Sequence, residues 1–163
     1  ADLVTRPRPI FPVPYDEGVF IGYRHYDRMQ PEPLFAFGHG LSYTTFAYSN
    51  LALTAADDGA VVRCDVTNTG AIAGDEVVQV YVGDPECSVA RPVRELKGFA
   101  RVALEPEQTR NVEIALPKRA FAFYDVDGKG WRVEPGTFVV EVGASARDIR
   151  LRGEVELDAD GLL

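Results

Sequence analysis

The sequence predicts an all-β protein: an antiparallel β-sandwich of the immunoglobulin or fibronectin type III kind, preceded by an extended N-terminal segment. Two observations lead to this prediction. From Phe46 onward, short stretches alternate apolar and polar residues with the period of two that a half-buried strand requires. Gly, Pro, Asn and Asp residues, which reverse the chain, separate these stretches at short intervals, as is typical of sandwiches.

The individual strands follow from the same alternation. In IRLRGEVEL, apolar residues at every second position would face the core, and the Arg and Glu residues between them would face water. VVQVYV and NVEIAL place their Val, Ile and Leu side chains on one face in the same way. No stretch shows the apolar stripe of an amphipathic helix. The predicted strands are 46–54, 60–68, 75–83, 97–104, 109–116, 120–124, 130–134, 137–143 and 148–157.

Residues 1–45 differ from the predicted sandwich, which spans 46–163. Six of the 11 prolines lie in this first part, and such a density keeps a segment extended and interrupts helices. Within it, GVFIGYRHYD (Gly18 to Asp27) is predicted to form one apolar strand. The start, ADLVTRPRPIFPVP, has neither Met nor an apolar targeting core, so we expect no targeting signal here and a chain that begins within a longer protein. The cellular compartment stays open.

The composition argues against several classes of partner. The chain has 163 residues, a formal charge of −8 and a pI near 4.8. Phosphate backbones and anionic lipids would repel such a chain, so we expect neither nucleic-acid nor membrane partners. No apolar run approaches the roughly 20 residues that span a bilayer.

The cysteines and histidines indicate no metal site. Cys64 alternates with valines, which predicts a buried small apolar residue, and its pairing with Cys87 is left open. Together with His25 and His39, the two cysteines supply too few ligands at useful spacing. We therefore expect neither a metal nor a cofactor.

The carboxylates that adjoin in sequence all lie in predicted turns or at strand ends, where solvated acids shape the turn. A glycosidase needs two carboxyl groups facing each other across a cleft, and nothing here indicates such a pair. Ser42 follows His39 by three residues but lacks a nucleophile-elbow motif. The patterns thus assign no catalytic residue. The acidic pairs are Asp16/Glu17, Asp57/Asp58, Asp75/Glu76 and Asp125/Asp127.

One basic cluster, RPVRELKGFARV, contains Arg91, Arg94, Lys97 and Arg101. In an acidic protein these cations form either local salt bridges or a docking surface for a ligand or partner.

Trp131, the single tryptophan, is either a core residue or a platform for stacking a sugar. A stand-alone carbohydrate- or protein-binding module would use Trp131, Tyr124 and the Arg91–Arg101 loop.

Six segments occur in the order EGVFIGYRHYD, PLFAFGHGLSYTTFAYSNL, DVTNTGAIAGDEVVQVYV, RPVRELKGFARVAL, AFYD and WRVEPGTFVVEVGASARDIRL. Together they resemble the C-terminal part of glycoside hydrolase family three, the β-glucosidases and their relatives. The resemblance runs from about Glu17 to Leu151. His25 and Ala36 depart from it, because the family often has an aromatic residue and a proline at these places.

The resemblance implies a parent enzyme that hydrolyses terminal non-reducing β-linked glycosyl residues with retention. It implies a (β/α)8-like barrel with a nucleophilic Asp, an α/β sandwich with a Glu acid/base, and a fibronectin type III-like domain. Neither catalytic motif occurs in this sequence, so we expect the chain alone to be inactive and to have no catalytic residue. It would be an accessory part that docks and stabilises the catalytic domains, in the same chain or as separate fragments. The alternative is the stand-alone module.

By the same resemblance, GVFIGYRHYD matches the closing strand of the α/β sandwich, and FAFGHGLSYT matches the crossing into the fibronectin-like domain. We expect an interdomain seam here, with rings packed on a neighbouring domain and glycines that let backbones approach. The alternative is that these rings pack only on the sandwich's own base. The seam residues are Phe35, Phe37, Gly38, His39, Gly40, Tyr43 and Phe46.

Overall fold

The computed structural model of the protein describes residues 12–158 and 161–162. Within these ranges, one short helix precedes a series of strands, and a single 3₁₀ turn interrupts that series. The elements are α1 (Tyr23–Met29), β1 (Phe46–Ala56), β2 (Gly59–Asn68), β3 (Gly74–Gly83), β4 (Glu95–Leu104), β5 (Thr109–Pro117), the 3₁₀ turn (Lys118–Ala120), β6 (Phe123–Asp125), β7 (Gly130–Val133), β8 (Gly136–Ser145), β9 (Asp148–Leu157) and β10 (Gly161–Leu162).

Two antiparallel sheets form the sandwich. The first has the strand order β1-β2-β5 and the second has the order β4-β3-β8-β9. β1 approaches β9 at one side and β4 approaches β5 at the other, so the two sheets meet along both edges. A small third sheet has the order β10-β7-β6. The predicted all-β sandwich is confirmed.

The core consists of the inward faces of both sheets. Alternate positions of β2 and β5 are buried, and Val78, Val80 and Val82 of β3 are at most 1% exposed. Phe121 and Phe138 meet edge to face, with ring centroids 5.1 Å apart. Each Å² of apolar surface removed from water contributes about 25 cal/mol, so this shared face is the main stabilising feature. Cys64 lies in the core as a free thiol, and Cys87 is also free.

The predicted strand over Gly18–Asp27 is wrong, and this stretch contains a helix although no helical stripe was recognised in it. Residues Tyr23–Met29 are helical, and no strand among the described residues pairs with this segment. Gly22 is the cause at the N-terminal end, because its φ of +56° ends the extended path just before the helix. An apolar run beside glycine fits a short helix as well as a strand.

The remaining differences are small. The predicted strand 120–124 is replaced by the 3₁₀ turn and the three-residue strand β6, and β4 begins two residues earlier than predicted. Residues 1–11 of the predicted extended segment lie outside the described residues. In the part of the chain that the structure describes, no helix has the length and apolar character needed to cross a membrane.

Candidate interdomain surface

The N-terminal segment lies across the outer face of the four-stranded sheet. Gln79 and Tyr81 point away from the core on β3, yet they are only 5% and 0% exposed. Tyr23 of α1 meets Tyr81 edge-on, with ring centroids 6.3 Å apart. The Tyr23 hydroxyl also accepts a hydrogen bond from the backbone N–H of Leu96, at 2.9 Å. The middle of this sheet is therefore covered on both faces.

A second contact lies where the segment returns toward β1. The rings of Tyr23 and Phe37 stack almost in parallel, with centroids 4.4 Å apart and planes inclined by 16°. The Phe37 carbonyl accepts a hydrogen bond from the Ala146 N–H at 2.9 Å. One face of the Phe37 ring, which was predicted for the seam, therefore packs on Tyr23 of the same chain.

An ion cluster holds α1 on the sheet. Asp27 is the buried acid of the helix, and its two oxygens lie 3.3 Å from Arg94 Nε and 3.6 Å from Arg147 Nε. Arg94 also pairs with Glu141 at 2.9 Å, and Arg147 donates to the Tyr26 carbonyl at 3.0 Å. Burial raises the pKa of Asp27 above its ordinary value of 3.8, although both guanidinium groups act to lower it. Arg94, predicted for a docking surface, thus forms ion pairs with two acids of its own chain.

Gln79 joins the segment to the sheet by three hydrogen bonds. Its amide nitrogen donates to the carbonyls of Gly38 (3.1 Å) and Ala144 (2.6 Å), and its oxygen accepts from the Tyr81 hydroxyl (2.6 Å). Gly38 has a φ of +80°, and a Cβ there would lie 2.0 Å from the Gln79 oxygen. The close approach that requires glycine at this position is thus made to Gln79 of the same chain, and the role of Gly38 in the seam stays a prediction.

The other seam residues divide into two groups. Phe35 is 72% exposed and stacks on His39, with centroids 5.7 Å apart, while Tyr43 is 97% exposed. Phe46 is partly buried and packs against the core. Among the described residues, no heavy atom lies within 4 Å of where a Cβ on Gly40 would stand.

Exposed apolar side chains are concentrated in this segment. Of the 18 large apolar side chains that are exposed among the described residues, 11 lie between residues 13 and 43. A monomeric surface rarely carries so many in one stretch, so this is a surface suited to a partner. They are Val13, Tyr15, Val19, Ile21, Tyr26, Met29, Leu34, Phe35, Phe37, Leu41 and Tyr43.

Glu95 is the centre of the basic cluster. Its carboxylate lies 2.9 Å from Arg24 of α1, 3.2 Å from Arg91 and 3.2 Å from Lys97. Burial acts to raise the pKa of Glu95, but the three cations outweigh it and hold that pKa below its ordinary value of 4.5. Burial lowers the pKa of Lys97, and the attraction of Glu95 opposes this.

The outer members of the cluster are also paired. Arg91, with a side chain only 6% exposed, binds Asp84 at 3.0 Å and donates to the Phe121 carbonyl at 2.8 Å. Arg101 is exposed and pairs with Asp75. The local salt bridges considered for this cluster are thus present, while its role as a docking surface stays a prediction.

Trp131 and Tyr124 stand together at the small third sheet. Tyr124 meets the Trp131 ring edge-on, with centroids 5.7 Å apart, and the Arg119 guanidinium lies 4.2 Å from the centre of that ring. Trp131 packs partly on the core, whereas Tyr124 is half-exposed. Both rings line a groove of about 540 Å³ that Arg91 and Lys97 also border. The structure therefore brings four predicted binding residues to one place.

The acidic pairs predicted to lie in turns are mostly exposed among the described residues. Asp16, Glu17, Asp57, Asp58 and Asp127 are exposed to solvent. Glu76 is partly buried and accepts a hydrogen bond from the Tyr48 hydroxyl at 3.0 Å, and burial raises its pKa. In the described part of the chain, no group of three or more His, Cys, Asp and Glu side chains is arranged to hold a metal.

Four residues that hold the surface in place were missed from the sequence: Asp27, Gln79, Tyr81 and Arg147. A usable signal existed for two of them. A glutamine and a tyrosine alternate with buried valines in VVQVYV, and a large aromatic residue on the nominally solvent-facing side indicates a covered face. Asp27 and Arg147 gave no signal, because 120 positions separate them and only the fold brings them together.

Known proteins resemble this chain in sequence and in fold. A family model described as "Fibronectin type III-like domain" matches residues 76–146. Thermostable beta-glucosidase B of Acetivibrio thermocellus is 47% identical over 151 residues, covering 90% of this chain and 20% of that protein. Exo-alpha-(1->6)-L-arabinopyranosidase of Bifidobacterium breve is 43% identical over 150 residues, covering 91% of this chain and 20% of that protein.

The crystal structure of a beta-glucosidase from Kluyveromyces marxianus in complex with glucose superimposes with a TM-score of 0.87 at 39% identity, over 91% of this chain and 18% of that one. The chain spans about a fifth of the length of the curated relatives it matches. The six segments that resemble glycoside hydrolase family three thus agree with whole-chain similarity in sequence and in fold. The chain carries the fibronectin type III-like domain of the glycoside hydrolase family three β-glucosidases.

Proposed function

We propose that the chain is the accessory C-terminal part of a larger β-glucosidase-type enzyme, and that it docks and stabilises that enzyme's catalytic domains. The parent would hydrolyse terminal non-reducing β-linked glycosyl residues with retention. One observation carries the proposal: exposed apolar side chains are concentrated at residues 13–43, on a segment that is itself fixed to the sandwich. Relatives of this chain are about five times longer, so they have room for the further domains on which this surface would dock.

The geometry suits a rigid docking platform. Asp27 and its two arginines, the stacked rings of Tyr23 and Phe37, and the Gln79 hydrogen bonds all fix the inner side of the segment. Its outer side presents Leu34, 89% exposed, together with the exposed seam rings. A pre-ordered apolar surface loses little conformational entropy when a neighbouring domain covers it.

The reacting acids and the sugar specificity would reside outside this chain. Two relatives with different glycosidase names match this chain at 47% and 43% identity, which supports the placement of sugar specificity outside this domain. We therefore expect the isolated 163-residue chain to leave an aryl β-glucoside unhydrolysed. Turnover by the rigorously purified chain would overturn the proposal.

The docking role is tested in the parent enzyme with the double variant Phe35→Ser/Tyr43→Ser. We expect heat inactivation to accelerate by about ten-fold, because apolar surface at a domain interface no longer opposes separation, with kcat/KM little changed before inactivation. Ile72→Ser is the matched control, since Ile72 is an exposed apolar residue outside the N-terminal segment. Equal inactivation rates for the double variant and the unmodified enzyme would contradict the docking role.

A further inference from the structure

We propose that the groove of about 540 Å³ beside Trp131 binds a neutral saccharide. The groove lies between the start of β4, the β6–β7 hairpin and the N-terminal segment, and its lining runs from Val19 and Arg24 to Trp131. This site does not depend on the catalytic activity of the parent. Its volume falls within the range of about 300–1,000 Å³ that small-molecule sites occupy.

One wall of the groove is aromatic. Tyr124 is 51% exposed and stands edge-on to Trp131, so the two rings form a corner with their planes at 78°. Arg119 covers the Trp131 ring from one side and holds it in place. Such a corner offers an apolar surface to the C–H face of a pyranose ring, and little conformational entropy is lost because both rings are already packed.

The floor of the groove is polar and ordered. Glu95 pairs with both Arg24 and Lys97, at 2.9 and 3.2 Å. Glu95 is the only ion-pair partner of the Lys97 ammonium among the described residues, and an ammonium has three N–H donors. Sugar hydroxyls both donate and accept hydrogen bonds, so they match a floor that presents ammonium, guanidinium and carboxylate groups together.

The charge of the groove favours a neutral ligand. The cations Arg24, Arg91 and Lys97 are accompanied in the lining by three acids, Glu95, Asp125 and Asp127. Neither sign dominates, so a strongly anionic or cationic ligand would gain little attraction and would disturb existing ion pairs. A neutral molecule with one apolar face and several hydroxyl groups fits both wall and floor, and a glycoside is that kind of molecule.

Titration of the chain with cellobiose and with methyl β-D-glucopyranoside tests the site. Because Trp131 is the only tryptophan, its fluorescence reports the groove directly, and calorimetry gives the affinity. We expect a saturable fluorescence change, and we expect Tyr124→Ala and Lys97→Met each to weaken binding by about ten-fold through lost stacking and lost hydrogen bonds. Circular dichroism spectra like that of the unmodified chain, with cooperative melting, would show that both variants remain folded.

Tyr43→Ala is the matched control, because Tyr43 is an exposed tyrosine that does not line the groove, and it should bind as the unmodified chain does. A lack of saturation, equal affinity in both groove variants, or an equal response to the open-chain polyol sorbitol would each overturn the proposal. Binding that is lost in the parent enzyme with its active site covalently blocked would assign the groove to a neighbouring domain, and would overturn it as well.

Discussion

Gln79 shows how a single side chain fixes the N-terminal segment to the sandwich. Gln79 is 5% exposed, and its amide group donates to two backbone carbonyls and accepts from one hydroxyl. The polar atoms of this buried side chain are therefore hydrogen-bonded within the protein. The arrangement requires the Gly38 carbonyl to approach the sheet closely. Glycine is therefore required at position 38 for two reasons: the backbone is left-handed there, and Gln79 leaves no room for a Cβ.

We predict that Gly38→Ala lowers the free energy of unfolding by about 2–3 kcal/mol, because the added methyl group meets Gln79 and the backbone adopts a φ that alanine disfavours. Chemical denaturation followed by circular dichroism measures this. Gly40→Ala is the matched control, since its Cβ would enter open space and its effect should stay within about 0.5 kcal/mol. Equal effects of the two variants would contradict the account of Gly38.

The helix α1 depends on its contacts with the sheet. It has only seven residues, no side-chain N-cap and no acidic residue in its first turn. Isolated helices shorter than about 12–15 residues are marginal in water, so tertiary packing must stabilise this one. Asp27 with Arg94 and Arg147, and Tyr23 with Tyr81, supply that packing.

We predict that Asp27→Asn releases α1 without unfolding the sandwich. The variant keeps the shape of the side chain but removes the charge between two arginines, so amide exchange in residues 23–29 should accelerate by about ten-fold while β2 and β3 stay protected. Hydrogen exchange read by mass spectrometry resolves the two regions. Asp16→Asn, at an exposed acid outside the helix, should leave both regions as they are. Unchanged exchange in α1 would show that the ion cluster does not hold it.

The strands and their inward faces were predictable because the signal for each one is local. Alternation in VVQVYV or IRLRGEVEL reports burial of one face without knowledge of the neighbours. The outer covering of the sheet was not predictable in this way. Whether Tyr81 faces water depends on a helix almost 60 positions earlier, and the same local pattern made that helix look like a strand. From the sequence, the rings of this segment are predicted to form an interdomain seam, whereas the attachment of the segment through Arg147 required the fold.

For the molecule as a whole, the Glu95 cluster connects parts that are distant in sequence. Glu95 pairs with Arg24 of α1, with Lys97 of β4 and with Arg91, which in turn binds the Phe121 carbonyl beside the 3₁₀ turn. The Glu95 side chain is 13% exposed, so solvent screens these ion pairs only weakly. The contribution of these ion pairs to the free energy of unfolding requires an ionised Glu95 carboxylate, so it must depend on pH.

The direction follows from the pKa of Glu95, which the cations hold below its ordinary value of 4.5 although burial acts to raise it. A carboxyl group whose pKa is lower in the folded than in the unfolded chain stabilises the fold above the unfolded pKa. That stabilisation is lost as the pH falls through the folded pKa. We predict that Glu95→Gln lowers the free energy of unfolding at neutral pH by about 2–3 kcal/mol.

Because glutamine does not titrate, this difference should shrink as the pH falls below 4.5, and the two stability curves should converge in acid. Denaturant titrations between neutral and acid pH measure both curves, and the remaining carboxylates affect the two proteins alike. Glu113→Gln is the matched control, because Glu113 forms a surface pair with Arg63 in which both side chains are at least 43% exposed. Its curve should follow that of the unmodified chain at every pH. A Glu95→Gln deficit that stayed constant into acid would mean that the lost side chain stabilises the fold by packing and not by its charge.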